Sequence, residues 1–165
     1  NKDNPNDTVF FQSNNAQLHI GKGLDENLTV NQGTLAFQNC GNYVDWNFNS
    51  LIIEPNGTVE AWEGTTYFAE SLFDNGGSFN HNMGLFISDH AIDGTVDVDG
   101  EIRFYDFRMA KSSSRNLNVA DNDRLVVENF YDSHSGYLNN PLARLEIEND
   151  GWFRSTHQRG SIPGS

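Results

Sequence analysis

The chain is short of several things, and each shortage excludes something. A single cysteine, Cys40, leaves no intrachain disulfide and no multi-cysteine metal cluster. Aliphatic runs no longer than Leu51-Ile52-Ile53 or Leu125-Val126-Val127 fall far short of a membrane span. Only 10 basic residues stand against 23 acidic ones, a net charge of −13, which argues against nucleic acid and against an anionic membrane as partner. No window of a dozen residues has helical periodicity; the best short candidate, Tyr67 to Phe73, suits a strand or a single helical turn. Signal-peptide features are missing too, and Asn rather than Met at position 1 marks a processed or trimmed chain.

What is present is enough for a core. The 165 residues are 36% hydrophobic and 12% aromatic, too apolar for a disordered segment and of a size for one domain. We expect a single domain over 1–165, with a polar arm at 1–8 and a tail at 155–165 that is mobile or ordered by a partner. Charge divides unevenly: residues 1–102 hold 15 acidic and two basic side chains, whereas 103–165 hold eight of each. The 22 asparagines suit many tight turns, because their side chains bond the local backbone and tolerate left-handed conformations.

Four segments read as strand, turn, strand: 28–37 around Asn31-Gln32-Gly33, 51–62 around Pro55-Asn56-Gly57, 95–105 around Asp99-Gly100, and 145–154 around Asn149-Asp150-Gly151. In the third, Val96, Val98, Ile102 and Phe104 share one face while Asp97, Glu101 and Arg103 face water. Segments 1–8, 38–49, 74–82, 109–123, 132–141 and 155–165 read as loops. Hydrophobic-x-hydrophobic stretches follow Gly33, Gly57, Gly94, Gly100 and Gly151, but spacings of 24, 37, 6 and 51 are too irregular for the fixed rung of a β-solenoid. The expected fold is all-β with little helix: an antiparallel β-sandwich.

The motif order from 34 to 107 resembles the laminin-G-like, concanavalin A-like jelly roll. Leu35-Ala36-Phe37 resembles its opening strand, followed by Gly41-Asn42-Tyr43-Val44-Asp45, then Thr58 to Trp62, Ser71-Leu72-Phe73, Gly84 to Ile87 and Glu101 to Phe104. Trp152 resembles the tryptophan of a later strand. The resemblance implies a jelly-roll sandwich with a recognition role.

Candidate chemistry is sparse. Asp97, Asp99, Asp121 and Asp123 lie in oxygen-rich turns of the kind that gather around Ca²⁺, the one cofactor the composition suggests. Thr95 to Asp106 echoes an EF-hand loop but lacks an acid at its first position and flanking helices. Trp46, Tyr131, Tyr137 and Asn139, in polar surroundings, are the candidate glycan-binding residues, since aromatic rings stack on sugar C–H faces. Glu146 and Glu148 lie two apart, without the third carboxylate of a jelly-roll glycoside hydrolase. Asp132-Ser133-His134 has the residue types of a triad, but sequence adjacency is not triad geometry, and the five histidines form no zinc-type pair.

The expectation is an extracellular, cell-surface or virion-surface module. It is non-enzymatic, does not insert in a membrane, binds no nucleic acid, and recognises a glycan or cell-surface ligand. The alternative is a homo-oligomeric structural subunit of a filament, sheath or phage fibre, joined by strand addition and charge complementarity. A glycoside hydrolase ranks third.

Overall fold

The computed structural model describes residues 8–13, 27–39, 46–112, 114–139, 144–147 and 151–155. The expected arm and tail fall almost wholly outside them, in 1–7 and 156–165, as does Cys40. Among the described residues thirteen strands follow one another: β1 Thr8–Ser13, β2 Asn27–Asn39, β3 Trp46–Glu60, β4 Thr65–Asp74, β5 Ser78–Asn80, β6 Leu85–His90, β7 Gly94–Val98, β8 Glu101–Lys111, β9 Asn116–Val119, β10 Arg124–Ser135, β11 Tyr137–Asn139, β12 Arg144–Ile147 and β13 Trp152–Ser155. No helix occurs among the described residues, so none is long and apolar enough to cross a membrane.

Every strand pairing is parallel, each joining one circuit of the chain to the next. Thr8 lies beside Thr34 and Arg124 beside Arg144, so a circuit takes 26 residues at one end and 20 at the other. This is a β-solenoid. It overturns the antiparallel sandwich, and with it the laminin-G-like or concanavalin A-like jelly roll that the motif order of 34–107 suggested. The all-β expectation holds; the direction of the strands does not.

Inward positions recur in columns from coil to coil. Leu51, Leu72, Val96 and Val119 stack in register through β3, β4, β7 and β9, each 3% exposed or less. Along the adjoining side, Thr66, Phe86, Phe107 and Tyr131 form another column through β4, β6, β8 and β10. Rings meet inside: Phe79–Phe86 at 5.1 Å, Phe86–Phe104 at 5.3 Å and Phe104–Phe107 at 4.9 Å between centroids. Phe104 is fully buried, while Trp62 is half-buried with its ring packed over Gly64, where a Cβ would sit 2.2 Å from it.

The four expected hairpins fail for reasons visible in the backbone. Residues 28–37 lie within one strand, β2, and 51–60 within another, β3. Gly57 is required there because a Cβ would come within 2.1 Å of the Val30 carbonyl oxygen on the preceding coil. Between β7 and β8 the chain turns a corner instead of reversing. A two-residue type I′ hairpin needs positive φ at both central residues, yet Gly100 has φ +91° and Asp99 is not among the positive-φ residues. Gly100 N–H donates locally to Val98 O at 2.8 Å, and the corner's other hydrogen bonds go along the stack: Asp99 N–H donates to Asp74 O at 2.8 Å, and Arg124 N–H to Gly100 O at 2.9 Å. β12 and β13 both run along β10 and not against each other.

The glycine spacing misled for a related reason. Gly33 and Gly57 are indeed in register, so the interval of 24 was one true circuit. Gly94 belongs to a strand and Gly100 to a corner, so the remaining intervals compare different places in the coil. Several polar segments expected as loops are strand: Trp46 to Asn49 in β3, Ser78–Asn80 as β5, Asn116–Val119 as β9 and Asp132 to Ser135 in β10. Ser78, Asn80, Asn116, Asn118 and His134 there are outward, where a solenoid makes no demand for apolar side chains, while Asn49, Asp132 and Ser133 are buried.

Candidate functional site

On the side of the coil formed by β7, β9 and β11, the outward residues of β9 and β11 are polar and uncharged, while β7 turns out Thr95 and the exposed Asp97. β9 buries Leu117 and Val119 and turns Asn116 and Asn118 outward; β11 buries Leu138 and turns out Tyr137 and Asn139. Parallel register sets Tyr137 beside Asn116, and Asn139 beside Asn118, which in turn lies beside Thr95. The amides are linked along the stack. Asn139 Nδ2 donates to Asn118 Oδ1 at 3.0 Å, and Asn118 Nδ2 donates to the Gly94 carbonyl at 3.2 Å. Asn116 is held by its own N–H, donated to Asp93 Oδ1 at 2.7 Å. Among the described residues, Asn139 makes this bond with one amide N–H, leaving its second N–H and its carbonyl oxygen for a ligand. Two of the residues expected to contact a glycan, Tyr137 and Asn139, therefore share one surface, joined by Asn116 and Asn118. The signal for the latter pair was Asn-Leu-Asn at 116–118 recurring as Tyr-Leu-Asn at 137–139.

The other two expected glycan contacts lie elsewhere. Tyr131 is 3% exposed, its ring 6.1 Å from Phe107 and nearly parallel to it, and burial pushes its phenol up to about 12. Trp46 opens β3 in register with Thr66, on the column leading to Tyr131, and its side chain lies outside the described residues.

The four aspartates proposed for calcium collect at one corner of the stack, where β7 passes to β8 and β9 to β10. Asp97, Asp99 and Asp121 are exposed, and Asp123 is 7% exposed. Asp123 Oδ2 accepts the Val98 N–H at 2.8 Å. Burial raises the Asp123 carboxyl above its ordinary value, the Val98 bond opposes this, and the charges of Asp97, Asp99 and Asp121 raise it further. Asp74, one coil earlier, is raised by burial and by Asp99, against the lowering effect of the Gly77 and Gly76 backbone. Among the described residues, however, no three His, Cys, Asp or Glu side chains converge to hold a metal ion. Thr95 to Asp106 is strand, corner and strand, not an ion-binding loop.

A second charged corner escaped sequence reading. Lys111 ends β8 with an inward side chain that is 0% exposed, and its Nζ donates to the Asp89 carbonyl at 3.2 Å. Burial lowers its ammonium to about 8, while Asp89, Asp93 and Glu70 counteract that shift. Glu70 is itself held by Asn49 Nδ2 at 3.0 Å. Only the alternation Ile102, Phe104, Phe107, Met109, Lys111 could have marked it as inward.

The remaining catalytic candidates do not assemble. Asp132 is fully buried and accepts from Arg108 Nε at 2.9 Å; Ser133 is buried as well, but His134 is exposed. Glu146 lies 3.5 Å from Arg124 Nε, and Glu148 falls outside the described residues. No protein-family model, curated protein or solved structure matches this chain.

Proposed function

We propose that the chain is a non-enzymatic recognition module, displayed outside the cell, that binds an uncharged glycan on the outer surface of β9 and β11. The observation that carries this reading is the in-register set Asn116, Asn118, Tyr137 and Asn139. Amides both donate and accept, as sugar hydroxyls do, and a tyrosine ring offers an apolar face to sugar C–H groups. Parallel strands hold these groups about 4.8 Å apart on a rigid backbone, so little entropy is lost on binding. The ligand is uncharged because the protein is not: at a net charge of −13, an anionic glycan would be repelled.

The test is a glycan array followed by calorimetry on the full chain, with calcium and with chelator. Binding to a neutral glycan is expected in both conditions, because the donors and acceptors on this surface need no bridging ion. Tyr137→Ala and Asn139→Ala should each weaken it about tenfold, equivalent to about 1.4 kcal/mol, with the circular dichroism unchanged. Absence of binding to every neutral glycan, or affinity unmoved by both changes, rejects the reading.

A further inference from the structure

Among the described residues, the two outermost strands of one side of the coil, β1 and β12, belong to the same position in the circuit. From β1 that position passes through residues 34–39 of β2, 58–60 of β3 and β5. In the next coil it is taken by Glu101 to Phe104, with the Phe79 and Phe104 rings 5.7 Å apart, and then by Arg124 to Val127 and β12. Cover changes at the last step. Leu125 and Val127 are 0% exposed, whereas Leu145 and Ile147, in register with them, are only half-buried. Arg144 is exposed in register with like-charged Arg124, and has no ion-pair partner among the described residues. Arg124 is already engaged by Glu101 at 2.9 Å and Glu146 at 3.5 Å.

We propose that β12 accepts the first coil of a second copy of this chain, with Thr8 to Phe11 of that copy running parallel to Arg144–Ile147. Register favours this occupant. A shift by one coil along the axis lays β1 of the second copy along β12, as β1 lies along β2 within one chain. Charge favours it as well. Between Lys22 and Arg103 the chain has no Lys or Arg, so the early coils carry only acidic charge, whereas residues 103–165 hold eight basic and eight acidic side chains and are neutral in sum. Stacking head to tail brings the arginine-bearing end against the acidic one. Such contacts are heterologous and do not close, so the product is a rod that lengthens.

Sedimentation velocity and negative-stain electron microscopy on the full chain, across concentration and at low and high salt, test this directly. Rods one molecule wide should lengthen with concentration and shorten as salt screens the charges. Arg144→Glu, at an exposed position that leaves folding intact, should raise the concentration for half-assembly at least tenfold. Leu145→Arg should abolish assembly. A monomer at every concentration overturns the proposal, and so do oligomers that Arg144→Glu leaves unchanged. Neither result bears on glycan binding, which is read at Tyr137 and Asn139.

Discussion

The aspartate corner and the lysine corner are built alike and behave in opposite ways. At each, the chain leaves one strand and enters the next, and successive coils set equivalent residues close together. Asp74, Asp97, Asp99, Asp121 and Asp123 thereby gather like charges, and the buried members are pushed toward the neutral form. Lys111 is instead buried near Glu70, Asp89 and Asp93, which favour its charge while desolvation opposes it. The difference teaches that stacking supplies proximity without choosing its sign. At the aspartate corner, backbone N–H groups of Val98 and Gly77 compensate the carboxylates of Asp123 and Asp74. At the lysine corner, compensation comes from a carbonyl and from opposite charges.

The largest effect is expected where the lysine corner is tightest. A Cβ at Gly94 would sit 1.9 Å from the Glu70 carbonyl oxygen and 2.8 Å from Lys111 Nζ. Gly94→Ala should therefore cost about 3 kcal/mol or more, read as a lower urea midpoint, because the nearer clash is with backbone that must shift. Next comes pH. Lys111 titrates near 8 in the fold against 10.5 when exposed, so between those values the unfolded chain binds more protons and stability rises with pH. The span corresponds to roughly 3 kcal/mol. Lys111→Met should remove that rise while leaving stability at neutral pH undiminished, which urea titrations at pH 7, 8 and 10 would show. Stability still rising by the same amount in the variant would break the comparison.

The smallest effect belongs to the aspartate corner. Its raised carboxyls bind protons more readily folded than unfolded, so they add stability as pH falls through the carboxylate range and lose it as pH rises. Asp123→Asn keeps an acceptor for the Val98 N–H and removes one like charge. It should stabilise the fold by about 0.5 kcal/mol at low salt and reduce the benefit of added salt. A destabilised variant would mean that the carboxylate is needed as a charge, sharpening the contrast in the other direction.

How much was legible can be argued from particular residues. The reading that Val96, Val98, Ile102 and Phe104 face inward was right: none is more than 6% exposed. What Asp99-Gly100 does next was not legible, because a reversal and a corner use the same residues. They differ in whether the two flanking strands pair with each other or with strands of another coil, as β7 and β8 do. The recurrence of Asn-Leu-Asn and Tyr-Leu-Asn, 21 residues apart, was readable but means something only once the circuit length is known. Tyr131 looked like a loop aromatic because Asp132 and His134 follow it, yet alternation turns its ring inward against Phe107.

From the order of its residues alone, this chain was bound to form short ribbons with one apolar side, to lack helical stripes, and to carry its negative charge in the first two thirds. Those properties follow from period-two alternation and composition, which are local. Which ribbon lies beside which was decided only by tertiary structure. Strand pairing joins backbone groups some 20 to 26 residues apart, and a backbone N–H meets any carbonyl without regard to the side chain it carries. The choice of parallel stacking fell to glycine gaps such as Gly57, buried columns such as Leu51 to Val119, and corners whose hydrogen bonds reach the next coil.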